Sequence, residues 1–234
     1  MIKLKNVSVK YHGGDYALKN INLEIDEGKC LVLIGKSGCG KTSITRLING
    51  LIPNYYGADL EGEVRINKLD LRKADLSTIS KYVGSVFQNP KSQFFTTNTT
   101  SELVFSSENH GIDTGIIDKS LKSTVGLLDL EKLLNRDVFK LSAGEKQLIA
   151  AGSVYTYDPP IYVFDEPSSN LDIFSINKIR KLLKDLKNRG KTIILAEHRI
   201  YYLMDIADEF VYIDEGEIKS SLTSRELENI AIEK

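Results

Sequence analysis

A glycine-rich segment near the N-terminus has the residue types and spacing that bind phosphate. It lies between an apolar run and a predicted helix, and it consists of Gly35, Lys36, Ser37, Gly38, Cys39, Gly40, Lys41 and Thr42. The pattern G-x-x-x-x-G-K-[S/T] between a strand and a helix is typical of a phosphate-binding loop. Its glycines allow backbone conformations in which successive N–H groups converge on a phosphate, and the helix dipole adds positive charge.

Two side chains of this segment could act directly on a nucleotide. Lys41 offers a cation to the β- and γ-phosphate oxygens, and Thr42 offers a hydroxyl to Mg²⁺. The pattern arises by chance in about one chain of this length in a hundred or fewer. A glycine-rich turn that only reverses the chain would not need Lys followed by Thr at a helix start, so we predict a nucleotide site.

Two later apolar runs also end in residues suited to catalysis. The run 161–164 is followed by Asp165 and Glu166, and the run 192–196 is followed by Glu197 and His198. In an open parallel sheet, ligands bind beyond the carboxyl ends of the strands, so these groups should converge on one site. An isolated His would more often cap a helix or fill a core, and only this convergence favours a functional role for His198.

The chemistry of these side chains fits phosphoryl transfer. A buried Asp165 needs compensation, which a nucleotide-bound Mg²⁺ would provide. Glu166 could orient or deprotonate a water for attack on the γ-phosphate. Gln88, at the end of the predicted strand 81–87, could reach the metal or that water.

The hydrophobic patterns predict an α/β fold. Residues 1–28 alternate as an antiparallel hairpin, while the buried runs predict a mainly parallel sheet. Between 91 and 140, three segments have helical periodicity (101–109, 116–125 and 130–134), with breaks expected at Gly111 and Gly126. In 142–145, Ser142 and Glu145 have the spacing of a capping box at the start of another helix.

Bulk composition limits the possible functions. The 234 residues carry 31 basic and 32 acidic side chains, so no net field favours nucleic acid. Two cysteines are too few for a disulfide framework. The N-terminus lacks a signal-peptide pattern, and no apolar run approaches the ~18 to 20 residues of a membrane span. We therefore expect any membrane association to occur through a partner.

The order of these motifs resembles that of the nucleotide-binding subunits of ATP-binding cassette (ABC) transporters, and the resemblance covers essentially the whole chain. The matching motifs are Walker A (35–42), the Q-loop (Gln88), the LSGGQ signature (141–145), Walker B (161–166), the D-loop (169–172) and the switch histidine (His198). Six motifs in register are far more specific than any one of them.

The resemblance implies a fold and a set of ligands. It implies a P-loop NTPase fold in a single domain, 1–234, with a core and an antiparallel β subdomain (1–90 and 158–234) and an inserted helical subdomain (about 91–157). It implies that ATP and Mg²⁺ bind, with Thr42, Gln88 and Asp165 near the metal. Tyr11, for which a half-buried strand position is otherwise equally plausible, would stack on adenine, and Ser43 would extend the phosphate-binding segment.

The resemblance also implies a partner cassette. In the family, two subunits pair head to tail, so Ser142 and Gly144 of one chain would complete the site of the other. The sequence leaves open whether that partner is a second copy or a related ATPase.

A finer similarity is to the ATPases of energy-coupling factor transporters, which import vitamins and metal ions with membrane coupling and substrate-binding proteins. The similarity is carried by 88–95, 99–105 and 145–147. Phe94, Phe95 and Phe105 would line a groove for a partner's helix. The alternative, that they fill the core of the helical subdomain, is equally good for Phe105 and weaker for the adjacent pair.

Two departures from the family pattern keep other functions open. Ala143 replaces a usual glycine, which would cost about 1 kcal/mol if the backbone there required φ > 0. Leu148 replaces a common arginine. The alternatives are a soluble ABC ATPase acting on nucleic acid or ribosomes, and a weakly hydrolysing partner in a heterodimer. We expect the former to carry long coiled-coil or basic insertions, or two cassettes in one chain, and this sequence shows neither.

Overall fold

The computed structural model describes residues 1–169 and 171–232, so Asn170 of the predicted D-loop lies outside the described residues. Within these described residues, ten strands form two sheets: β1 (Ile2–Tyr11), β2 (Tyr16–Ile25), β3 (Cys30–Ile34), β4 (Ala58–Ile66), β5 (Leu69–Asp70), β6 (Val83–Val86), β7 (Ile161–Asp165), β8 (Thr192–Ala196), β9 (Glu209–Asp214) and β10 (Glu217–Leu222). The helices are α1 (Lys41–Ile48), α2 (Leu51–Asn54), α3 (Leu76–Ser80), α4 (Thr99–Asn109), α5 (Thr114–Leu128), α6 (Ala143–Tyr157), α7 (Ile173–Asn188) and α8 (Ser224–Ile232).

The larger sheet has the order β10-β9-β3-β8-β7-β6, and all its strands except β10 run parallel. Strand β7 is buried along 161–164 and β8 along its whole length, because apolar clusters pack on both faces of the sheet. The continuous apolar runs in the sequence therefore correspond to central parallel strands, as predicted.

The smaller sheet is antiparallel and has the order β2-β1-β4-β5. Its inward residues, including Ile2, Leu4 and Val9 of β1, join α1 and one face of the larger sheet in a single apolar cluster. The predicted entry hairpin is therefore confirmed, and this sheet supports the helix that follows the glycine-rich loop.

Helices α4, α5 and α6 lie between β6 and β7 and correct two expectations. Gly111 separates α4 from α5 as expected, but Gly126 lies inside α5, which continues to Leu128 and ends at the left-handed Asp129 (φ 49°). Only the short 3₁₀ turn Glu131–Leu133 forms where a helix over 130–134 was expected. Periodicity alone failed here because an isolated glycine is tolerated within a helix. Of the helices the structure describes, none is both long enough and apolar enough to cross a membrane.

A close contact at Gly84 joins α6 to β6. A Cβ at Gly84 would lie 2.4 Å from Val154 Cγ1 and 2.7 Å from Pro159 Cγ. Glycine therefore lets the helix that follows the signature motif approach the strand that leads to Gln88.

Two glycine-to-alanine substitutions should change stability in opposite directions. Gly84→Ala should lower the free energy of unfolding by about 1 to 3 kcal/mol, because the methyl group overpacks the contact with Val154. Gly126→Ala should raise it by about 0.5 to 1 kcal/mol, because Gly126 is helical, exposed and has open space around it. Urea denaturation of both variants measures this, and equal effects would contradict the packing described.

Candidate functional site

The glycine-rich loop is shaped by two positions that only glycine fits. Gly35 has φ 148°, and a Cβ there would lie 2.2 Å from the carbonyl oxygen of Ile213. Gly40 has φ 114° and precedes α1 as its N-cap. The loop encloses Lys41, whose buried ammonium donates hydrogen bonds to the carbonyl oxygens of Gly35 (2.8 Å) and Lys36 (2.9 Å). A phosphate bound by this loop would therefore meet both N–H groups and a cation.

The predicted convergence of strand ends is explained by the order of the sheet. Strands β3, β8, β7 and β6 are consecutive and parallel, so the residues that follow them lie along one edge. Thr42 Oγ1, in the first turn of α1, donates a hydrogen bond of 3.1 Å to Asp165 Oδ1 at the end of β7. The phosphate-binding loop and the acidic strand end are thus in direct contact.

Glu166 is held between two polar side chains. Gln88 Nε2 donates a 2.7 Å hydrogen bond to Glu166 Oε2, and His198 Nε2 lies 3.1 Å from Glu166 Oε1. The backbone of Glu166 has φ 45°, a left-handed conformation that is unfavourable for a non-glycine residue. Its N–H donates to the carbonyl of Ala196 at 2.8 Å, which fixes it against the neighbouring strand β8.

These groups border one cavity of about 330 Å³. Ten of the predicted site residues line it: Tyr11, Ser37, Gly38, Gly40, Lys41, Thr42, Ser43, Gln88, Glu166 and His198. Gly35, Lys36 and Cys39 belong to the same loop but do not line the cavity, and the Cys39 side chain is buried. Asp165 lines an adjoining cavity of about 580 Å³, which it shares with Thr42 and Gln88.

Burial raises the pKa of Asp165, and the hydrogen bond from Thr42 only partly offsets this effect. A carboxylate in this position favours a nearby cation. The described residues contain no cluster of three or more His, Cys, Asp or Glu that could hold a metal alone. This donor set fits Mg²⁺, which is typically bound through one or two carboxylates, waters and substrate phosphates. Thr42, Asp165 and the amide of Gln88 are the groups that could hold it.

The signature segment lies elsewhere in the chain. Ser142 caps α6, and the predicted capping box is confirmed: the Glu145 N–H donates to Ser142 Oγ (3.2 Å), and the Ser142 N–H donates to Glu145 Oε2 (2.8 Å). Ala143 is the first residue of α6 and does not have a positive φ. Its methyl group therefore does not cause the backbone strain that a positive φ would impose. Neither Ser142 nor Gly144 lines the cavity around Lys41.

The structure adds Arg46, which the sequence analysis missed. The Tyr11 hydroxyl lies 3.1 Å from Ser43 Oγ and accepts a 3.3 Å hydrogen bond from Arg46 Nη1. The Arg46 guanidinium also lies over the Tyr56 ring, 4.0 Å from its centroid. A usable signal was present, because Arg46 is four residues after Thr42 and so lies on the same face of α1.

Known proteins that are similar to this chain share one description. The family model described as "ABC transporter" matches residues 18–169. A protein from Treponema denticola named "Putative ABC transporter ATP-binding protein" is 48% identical over 219 residues, which are 93% of this chain and 45% of that protein. One from Pyrococcus horikoshii, with the same description, is 37% identical over 93% of this chain and 78% of its own length. The chain therefore spans less than half of the Treponema relative.

Solved structures agree with the sequence relatives. The cbiO1 protein of Clostridium perfringens, described as part of the ABC transporter complex cbiONQ, is 25% identical with a TM-score of 0.83, covering 97% of this chain and 90% of that one. The cassette MJ0796, in a dimeric post-hydrolysis state bound to ADP and Pi, is 29% identical with a TM-score of 0.81. The match covers 96% of this chain and 99% of that one.

Asp165→Asn should stabilise the nucleotide-free chain while weakening magnesium-dependent ATP binding. Because the folded state raises the pKa of Asp165, the ionised carboxylate destabilises the fold at neutral pH, and protonation relieves this as pH falls through the raised value. Asn remains neutral and can still accept the hydrogen bond from Thr42. The Tm should therefore exceed that of the wild type at neutral pH, and the difference should shrink in acid.

Thermal melts at several pH values, with ATP titrations in the presence and absence of Mg²⁺, measure both effects. A variant no more stable than the wild type at neutral pH, or one that keeps the full magnesium effect, would contradict this electrostatic description.

Proposed function

This chain belongs to the ABC transporter family as an ATP-binding, ATPase domain, and on that premise we propose that it powers import of a small solute through membrane partner proteins. The observation that carries the proposal is the single cavity in which the phosphate loop, Gln88, Glu166 and His198 meet. Its similarity to a cassette described as part of a transporter complex supports the assignment to transport.

In the proposed reaction, Lys41 and the loop N–H groups bind the β- and γ-phosphates. Thr42, Asp165 and Gln88 would hold Mg²⁺, which neutralises charge on the phosphate oxygens when bound. Glu166 orients the attacking water and accepts its proton. Its two carboxyl oxygens contact Gln88 and His198, so its direction is fixed before the substrate arrives.

The site is proposed to be completed by a second cassette, paired head to tail. Ser142 is exposed, and α6 begins directly behind it, so its free N–H groups and hydroxyl are available to an external γ-phosphate. A Cβ at Gly144 would lie 3.2 Å from Ser175 Oγ, so glycine keeps this helix start close to α7. The dimeric solved cassettes support such a pairing.

The membrane partner is proposed to dock in the adjoining cavity of about 580 Å³, which is lined mainly by the core (1–90 and 158–234), while the helical part (about 91–157) contributes Ser92 and Phe95. The Phe95 side chain is 76% exposed at its rim and stacks on Phe105 with ring centroids 4.9 Å apart. Phe94 instead packs against the core cluster, so it is not part of this surface. An exposed phenyl ring, backed by a second ring and lying at the edge of a cavity, suits an inserted helix.

We propose energy-coupling factor partners, namely a membrane coupling protein and a substrate-binding membrane protein, with the chain peripheral on the cytoplasmic membrane face. The imported solute would be a vitamin, another micronutrient or a metal ion, and the cassette itself would not touch it. A weakly hydrolysing role was favoured only by Ala143 in place of glycine. Because Ala143 is helical and needs no positive φ, it no longer supports that role. The alternative function is that of a soluble ATPase acting on nucleic acid or ribosomes, and the next experiment distinguishes it from transport.

Detergent extraction and capture of the tagged chain should recover integral membrane subunits. Phe95→Ser should lose them while it still binds ATP, because the exposed ring is proposed to contact the partner rather than the nucleotide. Tyr82→Ser is the matched control: this side chain is 43% exposed but lies at the opposite end of β6, so its complex should persist. Mass spectrometry of the captured proteins is the readout, and recovery of nucleic acid or ribosomes instead would refute the transport assignment.

A further inference from the structure

Glu197 directly precedes His198, and its side chain is only 1% exposed. Both oxygens of its carboxyl group nevertheless accept hydrogen bonds. Oε1 accepts hydrogen bonds from the backbone N–H groups of His198 (2.7 Å) and Arg199 (3.1 Å). Oε2 accepts from the backbone N–H of Ser168 (3.3 Å) and the Tyr202 hydroxyl (2.8 Å). Four neutral donors thus compensate one buried carboxyl group, which would be very unfavourable without them.

These bonds connect the two loops that carry the catalytic candidates. His198 and Arg199 belong to the loop after β8, whereas Ser168 belongs to the loop after β7, two residues beyond Glu166. The loops are joined a second time by Arg199, whose Nη1 donates to the carbonyl oxygens of Ser168 (3.4 Å) and Leu171 (3.3 Å). The Glu197 side chain therefore bonds both the backbone of His198 and the loop that follows Glu166.

We propose that Glu197 is the positioning residue of His198: its carboxyl group ties the backbone of the histidine to the loop that carries Glu166, and so sets the contact between the two side chains. This proposal deepens the proposed ATPase function and rests on it. The contact between His198 Nε2 and Glu166 Oε1 is 3.1 Å, whereas the His198 side chain is 40% exposed and has little packing of its own to hold it. Its place is then set by the backbone, which Glu197 anchors.

Glutamine is the sharpest probe because it keeps the size and shape of the side chain. Its amide nitrogen donates and cannot accept, so at least one pair of donors loses its acceptor. Glu197→Gln should leave ATP affinity within about twofold, since independent sites act additively and the phosphate loop is not touched. The turnover number should fall about 10- to 100-fold, the range expected when a catalytic group is displaced by about 1 Å.

A double-mutant cycle separates positioning from general destabilisation. If Glu197 acts through His198, adding Glu197→Gln to His198→Ala should slow turnover by less than about twofold further. Glu102→Ala is the destabilising control, because Glu102 is 2% exposed and its Oε2 accepts two backbone N–H bonds, from Phe95 (3.1 Å) and Thr96 (2.8 Å), which alanine cannot replace. It should lower Tm without changing the turnover number in either background.

A second readout does not depend on catalysis. The chain has three histidines, so ¹³C-histidine spectra contain few signals, and the His198→Ala variant assigns its own. Glu197→Gln should shift or broaden the His198 ring resonance and leave His12 and His110 unchanged, whereas Glu102→Ala should leave the His198 resonance unchanged. Should Glu197→Gln not fold, Arg199→Ala, at an exposed side chain, cuts the second link and should give the same signature.

Two results would overturn the proposal: an unchanged His198 resonance in Glu197→Gln, or a loss of turnover in the His198→Ala background as large as in the wild type. If the wild-type chain itself hydrolyses no ATP, the proposed function fails, and the His198 resonance alone decides the role of Glu197.

Discussion

The side-by-side parallel pairing of β3, β8, β7 and β6 is the constraint on which the site depends. It brings into contact residues that are far apart in sequence, from 32 positions for Glu166 and His198 to 123 positions for Thr42 and Asp165. Its register is fixed: Ala196 pairs with Leu33 on one side and with Asp165 on the other. Because side chains alternate along a strand, a slip by one residue would turn Asp165 away from Thr42. A slip would also draw a polar residue from one end of an apolar run into the buried layers, which opposes it.

The same edge of the sheet concentrates the unfavourable features of the fold. Glu166 adopts a left-handed backbone, and Asp165 has a raised pKa because it is desolvated. Lys41 is buried against carbonyl oxygens of its own loop. The left-handed backbone and the desolvated carboxylate both weaken the empty protein, and a bound magnesium ion would offset the second of them, so stability has been given up where binding requires it.

Much of this site could be predicted from the sequence because its signals are local. The glycine spacing of the loop, the apolar runs that end in Asp165 and His198, and the capping box at Ser142 each depend on a few adjacent residues. Glu197 was missed as a functional candidate because its importance lies in donors from another loop. The sequence also could not separate Phe94 from Phe95, since adjacent residues of equal hydrophobicity differ only in which one meets the core. The helix break expected at Gly126 was wrong because the burial of its neighbours, rather than the propensity of glycine, decides that α5 continues.

The central claim is that the cavity around Lys41 is one half of an ATP site and that Ser142 of another cassette supplies the other half. Mixing two inactive variants tests it most directly, with steady-state ATP hydrolysis as the measurement. In a mixed dimer of Lys41→Ala and Ser142→Ala chains, one site carries both defects and the other carries neither, so activity should return. A mixture of Lys41→Ala with Glu166→Gln should stay inactive, because each site then keeps one defect. Activity that does not return in the first mixture, although the wild-type chain hydrolyses ATP, would contradict the account.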